Sequence, residues 1–167
     1  MVLYRQNRQG ARAEVKIYLE TTVFNYYFDE RREGHADVVR LFDAINAGAH
    51  EAYTSEYVEI ELKLAPEPKR SDMLALIEQF DIHVFPTDDE TRRMAGLYIA
   101  GGALTQNSLL DSQHIAVASV QRIDYVVSYN YRHINKAKTK LLTGRINNME
   151  GYGSPVICTA KEVLEDE

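Results

Sequence analysis

Three polar residues at distant positions have the types and local settings of a hydrolytic metal site. Glu20 directly follows the apolar run Lys16–Leu19, and Asn130 comes shortly after a second run, Tyr125–Ser128. Asp111 lies in the first turn of a predicted helix that leads back to a strand. Carboxylate oxygens are the donors that Mg²⁺ and Mn²⁺ prefer, and such ions activate water for hydrolysis. These residues therefore predict metal-assisted hydrolysis if the fold brings them together.

A fourth candidate comes from a predicted helix that contains Glu56, Glu59 and Glu61. On a helical wheel at about 100° per residue, only Glu61 falls within the apolar arc that holds Val58 and Leu62. A buried carboxylate is costly unless it is paired or binds a metal, and no lysine or arginine shares this arc. We therefore expect Glu61 to face inward and to require a cation.

The elements that would position these residues alternate between short apolar runs and segments of helical period. The predicted strands are Lys16–Leu19, Glu51–Thr54, Ile82–Phe85, Tyr125–Ser128 and Pro155–Cys158. The predicted helices cover residues 36–47, 56–64, 69–80, 87–101, 108–122 and a short segment from 159, the last three opening with capping-box spacing. Such alternation predicts parallel strands with crossover helices, and function in these sheets usually lies at the carboxyl edge.

Each candidate also has a purely structural interpretation, which the sequence leaves open. Asp111 has the spacing of the acidic end of a capping box, and Glu20 fits a cap on the turn at Thr21–Thr22. Asn130 is a residue type that often forms a helix N-cap. His114 lies on a mostly apolar helix, so we interpret it as a packed, hydrogen-bonded histidine rather than a catalytic one.

Length and composition predict a single globular domain. The chain has 167 residues, of which 45% are hydrophobic and 26% charged, near the averages of soluble proteins. No apolar run has the roughly 18 residues of a membrane span, and no signal-peptide stretch opens the chain, so we expect a cytoplasmic protein. Residues 1–13 are polar and aperiodic, which predicts a flexible leader before a single domain at 14–167. Cys158 lies in an apolar run and is expected to fill the core.

The charge pattern bears on nucleic-acid binding. The formal net charge of −6 excludes a passive, wholly basic nucleic-acid coat, but it does not exclude an enzyme that acts on nucleic acid. Between Tyr131 and Asn148 there are five cations and no acid, including Arg132 and Lys136. This stretch fits either a solvated helix face or a phosphate contact. Sequence motifs for dinucleotide, phosphate-loop, nucleophilic-serine and zinc-protease sites are absent.

Several of these segments resemble the PIN domain family, metal-dependent ribonucleases that include VapC-type toxins of toxin–antitoxin pairs. The segment Ile17–Phe24 is similar to the family's opening strand, acidic residue and Ser/Thr pair, and Asp111–Ala118 is similar to its D-x-x-H-I-A-x-A helix. Segments 126–134 and 151–164 resemble the late strand with its rim and the closing strand and helix. The resemblance covers about residues 16–164.

The resemblance implies a three-layer α/β/α fold with a central, mostly parallel sheet, and hydrolysis of RNA with Mg²⁺ or Mn²⁺. It implies metal ligation by Glu20, Glu61 and Asp111, with Asn130 as the fourth catalytic position. A homodimer and a small antitoxin partner are expected from the same resemblance. We expect RNA phosphates to contact the cationic stretch and the two residues that follow Glu20. The substrate-binding candidates are therefore Thr21, Thr22, Arg132 and Lys136.

Two residues depart from the family pattern. Glu20 stands where aspartate is common, and its extra methylene moves the carboxylate oxygens by about 1.5 Å, which is expected to weaken activity at a near-octahedral Mg²⁺ site. Asn130 stands where many members have aspartate, so one metal ion is more consistent with the charge than two. These departures keep open a catalytically degenerate module that binds RNA or a partner protein without cutting. A phosphatase of small esters is a weaker alternative, because no covalent nucleophile stands out.

Overall fold

Five short parallel strands form the centre of the computed structural model, which describes residues 14–165. They are β1 (Val15–Leu19), β2 (His50–Ser55), β3 (His83–Phe85), β4 (Tyr125–Val127) and β5 (Val156–Cys158). All neighbouring strands pair in parallel, in the order β3-β2-β1-β4-β5. Each predicted strand is present with its ends shifted by one residue at most. The predicted leader, residues 1–13, lies outside the described residues.

Helices cover the sheet and complete the three-layer α/β/α architecture that the resemblance implied. They are α1 (Thr21–Phe28), α2 (His35–Asn46), α3 (Glu56–Leu62), α4 (Lys69–Gln79), α5 (Asp89–Ala100), α6 (Leu109–Val120), α7 (Ala137–Met149) and α8 (Ala160–Glu165). Within residues 14–165, none of these helices has the length and apolar character needed to cross a bilayer. Two helices, α1 and α7, are not among the helices predicted from the sequence, and α7 lies in the cationic stretch.

The predicted helix caps differ from the observed ones in two of three cases. The cap of α5 is Asp88, one residue later than predicted, and its carboxylate accepts a backbone N–H at 2.7 Å. Ser108 occupies the cap position of α6 without a side-chain cap hydrogen bond, so Asp111 is not held by a capping box. The third box forms as predicted, with the Thr159 amide donating to Glu162 at 2.7 Å.

The strand order creates a topological switch point next to β1. The chain passes from β1 outward to β2 and β3, then returns to the other side of β1 to form β4 and β5. The last three residues of β1, Ile17 to Leu19, are fully buried, as expected for the middle strand of a covered parallel sheet. Cys158 is buried in β5, which confirms its predicted place in the core. A crevice outside the carboxyl ends of β1 and β4 is the expected position of a site in such a sheet.

Candidate metal centre

Glu20 lies at the junction of β1 and α1 and caps the first turn of α1. Its Oε2 accepts hydrogen bonds from the Thr22 amide at 3.1 Å, the Thr22 hydroxyl at 2.6 Å and the Ser128 hydroxyl at 2.9 Å. Only 1% of the residue is exposed. Burial raises the pKa of Glu20, although His114 and these hydrogen bonds oppose the rise. A nearby cation would therefore stabilise the charged carboxylate.

Glu61 reaches from α3 to α6, where its Oε1 is hydrogen-bonded to Nε2 of His114. The Glu61 side chain is 25% exposed, so it faces largely inward, as the helical wheel indicated. Its partner is a histidine from a distant part of the chain, which a wheel of one helix could not reveal. Glu56 of the same helix has another role, because it accepts the Thr87 amide hydrogen at 2.9 Å.

His114 links Glu61 to a chain of buried hydroxyl groups. Its Nδ1 lies 2.8 Å from the Tyr18 hydroxyl, which lies 2.7 Å from the Ser55 hydroxyl. An ionised carboxylate only accepts hydrogen bonds, so Nε2 of His114 donates to Glu61. Burial lowers the pKa of His114, but the hydrogen bond to Glu61 and the charges of the surrounding carboxylates outweigh burial and raise it. Both ring nitrogens are engaged, which confirms His114 as a packed, hydrogen-bonded residue.

Asp111 and Asn130 are joined across the crevice. Asp111 Oδ1 accepts a hydrogen bond from Asn130 Nδ2 at 3.1 Å. Two further hydrogen bonds orient Asn130. The backbone amide of His133 donates to Asn130 Oδ1 at 2.9 Å, and the backbone amide of Asn130 donates to Ser128 Oγ at 3.0 Å. Burial raises the pKa of Asp111, and Glu61 adds to the rise, while the two nearby histidines oppose it.

The donor set fits a hard divalent cation. One oxygen each of Glu20 and Glu61 and one ring nitrogen of His114 all lie within 4.8 Å of one another. Because both ring nitrogens of His114 are engaged in hydrogen bonds, the two carboxylates are the candidate ligands of this group. Asp111 is outside that group of three, but the charge of Glu61 raises its pKa and its own charge raises the pKa of His114. Within residues 14–165, each of the three carboxylates has one oxygen in hydrogen bonds and a second oxygen without a protein donor. Three free carboxylate oxygens are the chemistry that Mg²⁺ and Mn²⁺ bind.

The four substrate-binding candidates occupy different environments. Thr22 is engaged inside the protein, because its hydroxyl donates to Glu20 and accepts the Tyr129 amide hydrogen at 2.8 Å. The Thr21 hydroxyl is buried and has no partner within the described part of the chain. Arg132 and Lys136 are exposed in the loop before α7. The substrate-binding role of all four stays a prediction.

Two residues that hold the site in place, Ser128 and Tyr18, are not among the site residues predicted from the sequence. Ser128 is fully buried and its hydroxyl contacts both Glu20 and Asn130. Tyr18 contacts His114 from the centre of β1. Both residues lie in predicted strands, and a single hydroxyl-bearing residue within a strand does not indicate which distant residue it contacts. Their roles become visible only when the strand order is known.

Comparison with known proteins relates the fold to a family. A sequence model of the PIN domain matches residues 17–139, a range that includes all four predicted catalytic positions. No curated protein sequence matches the chain. Three of the four segments that resemble the family, at 17–24, 111–118 and 126–134, lie within this range, and the closing strand and helix lie after it.

Two solved structures are similar in fold. VapC20 of Mycobacterium tuberculosis, described as a toxin that cleaves the sarcin-ricin loop, aligns with a TM-score of 0.57 and 15% identity, over 70% of this chain and 92% of that one. VapBC2 of Rickettsia felis, solved with a DNA fragment from its promoter, aligns with a TM-score of 0.45 and 14% identity, over 72% of this chain and 93% of that one. At its level of identity, the VapC20 match supports the fold.

Proposed function

The chain belongs to the PIN domain family, and from this premise we propose that it is a divalent-metal-dependent endoribonuclease in which Glu20, Glu61 and Asp111 bind the metal. One observation carries the proposal. Glu20 and Glu61, from distant segments, come within 4.8 Å of each other beside His114, the charges of Glu61 and His114 act on Asp111, and each of the three carboxylates keeps one oxygen free of protein donors within residues 14–165. Bound Mg²⁺ or Mn²⁺ would supply a water of lowered pKa and would neutralise charge on the phosphate.

The protein's own contribution is to hold each carboxylate in a fixed orientation. Glu20 is held by the hydroxyls of Thr22 and Ser128, Glu61 by His114 and Asp111 by Asn130. Fixed second partners of this kind keep ligands in position before the metal arrives. Asn130 donates a hydrogen bond without adding charge, so the site carries three formal negative charges. That charge supports one metal ion rather than two.

We assign RNA as the substrate class on two grounds. PIN domain proteins are associated with ribonuclease activity, and the VapC20 structure, similar in fold, is described as that of a toxin that cleaves the sarcin-ricin loop. Exposed Arg132 and Lys136 are available for phosphate contacts near the end of β4. Thr21, which follows Glu20 directly, is a further candidate, and its hydroxyl is buried without a partner among residues 14–165. The proposal extends to a cytoplasmic toxin that forms a homodimer and is blocked by a small antitoxin.

The decisive experiment compares two aspartates that each lie in the first turn of a helix. Asp111 lies in the first turn of α6 and Asp72 in the first turn of α4, where it is exposed. Asp111→Asn is expected to lower Mn²⁺-dependent RNA cleavage by at least about 100-fold, equivalent to about 2.7 kcal/mol in the activation barrier. Asp72→Asn removes the same first-turn charge and should leave cleavage unchanged. Equal activity of the two variants would remove Asp111 from the site.

The rival function is a noncatalytic binding module of the same fold. The burial of Glu20 favours this function. Burial raises the pKa of the Glu20 carboxyl group and so disfavours the ionised carboxylate that a metal ion requires. Titration calorimetry with Mn²⁺ separates the two functions without knowledge of the RNA target. The nuclease requires Mn²⁺ binding that is lost in Asp111→Asn and kept in Asp72→Asn. Absence of Mn²⁺ binding by the unaltered protein would favour the binding module.

A further inference from the structure

We propose that Tyr131 is a stacking platform for an unpaired RNA base beside the carboxylate site, an inference that rests on the proposed ribonuclease function. Tyr131 is the outer member of an aromatic ladder, by which we mean Tyr26, Tyr129 and Tyr131. The rings of Tyr26 and Tyr129 are stacked, with centroids 4.2 Å apart at 22°. Tyr131 meets Tyr129 edge-on, with centroids 6.4 Å apart at 85°.

The inner rungs of the ladder are fixed by several contacts. The Tyr129 hydroxyl accepts the Ala160 amide hydrogen at 3.2 Å, and Tyr129 is only 7% exposed. Arg32 covers Tyr26 in a cation–π contact, with its guanidinium carbon 5.5 Å from the ring centroid. Gly34 leaves the space that Tyr129 fills, because a Cβ there would lie 2.8 Å from the ring. Tyr131 is therefore supported by a rigid base.

Tyr131 itself is open to solvent. The residue is 58% exposed, and its hydroxyl has no hydrogen-bond partner among residues 14–165. The core does not account for this side chain, whereas an exposed ring on a rigid support has the properties of a base-stacking residue. Stacking is tolerant of sequence because every base presents a flat aromatic face.

The chain segment that carries Tyr129 and Tyr131 is hydrogen-bonded to residues of the carboxylate site. Asn130, which lies between Tyr129 and Tyr131 in sequence, donates a hydrogen bond to Asp111, and the backbone amide of Tyr129 is joined through the Thr22 hydroxyl to Glu20. An RNA strand with a phosphate at the carboxylates can therefore bring a neighbouring base to the ladder.

The charge around Tyr131 favours an uncharged base over a phosphate at this ring. Burial raises the pKa of Tyr131, and the charges of Tyr26, Glu162 and Glu33 add to the rise, so the charge around the ring is negative. Exposed Arg132 follows directly in sequence and is available for the backbone of the same strand. Negative charge near Tyr131 disfavours a phosphate there but not an uncharged base, and the positive charge of Arg132 favours a phosphate beside it.

The test measures binding of a short single-stranded oligoribonucleotide to protein that carries Asp111→Asn, so that the RNA stays intact. Tyr131→Ala is expected to weaken binding about tenfold, the lower part of the range for loss of one stacked base. Tyr131→Phe keeps the ring and should bind within about twofold of the parent. Met149→Ala, which removes an 83% exposed side chain at the far end of α7, should have no effect.

A second arm replaces single bases of the oligoribonucleotide by abasic sites. In protein that keeps Tyr131, an abasic site at one position of the RNA should weaken binding about tenfold. In Tyr131→Ala the same abasic site should cause no additional loss, because the base and the ring act as a pair. Equal affinity of Tyr131→Ala and parent, or an abasic loss that persists without Tyr131, would overturn the platform. So would unchanged RNA affinity in a Tyr131→Ala variant that no longer binds an antitoxin protein, since the ring would then be a protein contact.

Failure of the platform can be told apart from failure of the nuclease assignment. Cleavage of RNA by the unaltered protein with Mn²⁺ is measured in parallel. Tyr131-dependent RNA binding without any cleavage would support the platform and refute the nuclease. Cleavage with normal affinity and rate in Tyr131→Ala would support the nuclease and refute the platform.

Discussion

Replacing Thr22 by valine removes one hydroxyl that serves two buried groups, and its cost can be estimated from the structure. The hydroxyl donates to the Glu20 carboxylate at 2.6 Å and accepts the Tyr129 amide hydrogen at 2.8 Å. A hydrogen bond to a charged group contributes about 1.5–3 kcal/mol, and a buried amide left without an acceptor costs about 1–3 kcal/mol. Glu20 keeps its bonds to the Thr22 amide and Ser128. We therefore expect the free energy of unfolding to fall by about 3 kcal/mol.

Thr21 provides a matched control one residue earlier in the same helix. Thr21→Val makes the same change of hydroxyl to methyl, but this hydroxyl is buried without a partner among residues 14–165. Removing an unpaired polar group is neutral or slightly stabilising. At about 2–4 °C per kcal/mol, Thr22→Val should lower Tm by about 6–12 °C, while Thr21→Val should leave Tm unchanged or raise it slightly.

The assay is thermal and urea unfolding of both variants at neutral pH. Equal stability of the two valine variants would refute the assignment of the Thr22 hydroxyl as the support of Glu20. Mn²⁺ calorimetry on the same proteins adds a functional readout. Thr22→Val should bind Mn²⁺ about 10-fold more weakly, because a metal ligand that loses its hydrogen-bond partner loses its orientation. Thr21→Val should change RNA cleavage without changing Mn²⁺ affinity if its hydroxyl contacts the substrate.

Two further predictions concern stability away from the carboxylates. Gly34→Ala should lower Tm more than Gly48→Ala, because both glycines have positive φ but only at Gly34 would the new Cβ meet a ring, at 2.8 Å from Tyr129; equal losses would show that backbone strain alone, about 1–2 kcal/mol, accounts for both. Burial raises the pKa of Tyr98 from 10.0 to about 12, so the unfolded chain ionises first and stability should fall as the pH rises from 10 to 12. Tyr98→Phe should be less stable at neutral pH and lose less over that interval in urea titrations, and an unchanged alkaline slope would contradict this.

The strands and the inward face of Glu61 could be predicted because their signals are local. A short apolar run bounded by polar residues indicates a buried strand, and one helix is enough to separate the apolar arc from the exposed one. The helix α1 could not be predicted in the same way. Its N-cap is Glu20, which is not one of the residue types usual at that position, and its hydroxyl partners are Thr22 and the distant Ser128. The cap and the candidate metal ligand are the same side chain.

The pairings that orient the carboxylates could not be predicted because they join residues far apart in the chain. His114 is 53 residues from Glu61, and Ser128 is 108 residues from Glu20. Local patterns identify a histidine on an apolar helix or a serine at a strand end, but not the partner that each one contacts. Only the order of the strands brings the end of β4 beside the end of β1.

The same contacts give a physical meaning to the glutamate at position 20, where the family pattern favours aspartate. A longer side chain has more rotamers, and a flexible ligand would place its oxygens poorly around a near-octahedral ion. Here three donors fix Oε2 of Glu20, so the extra methylene does not add freedom to the carboxylate. Activity then depends on whether the fixed position suits the metal, rather than on side-chain length. Removing the Thr22 hydroxyl therefore tests the candidate metal site at the point where this chain departs from its family.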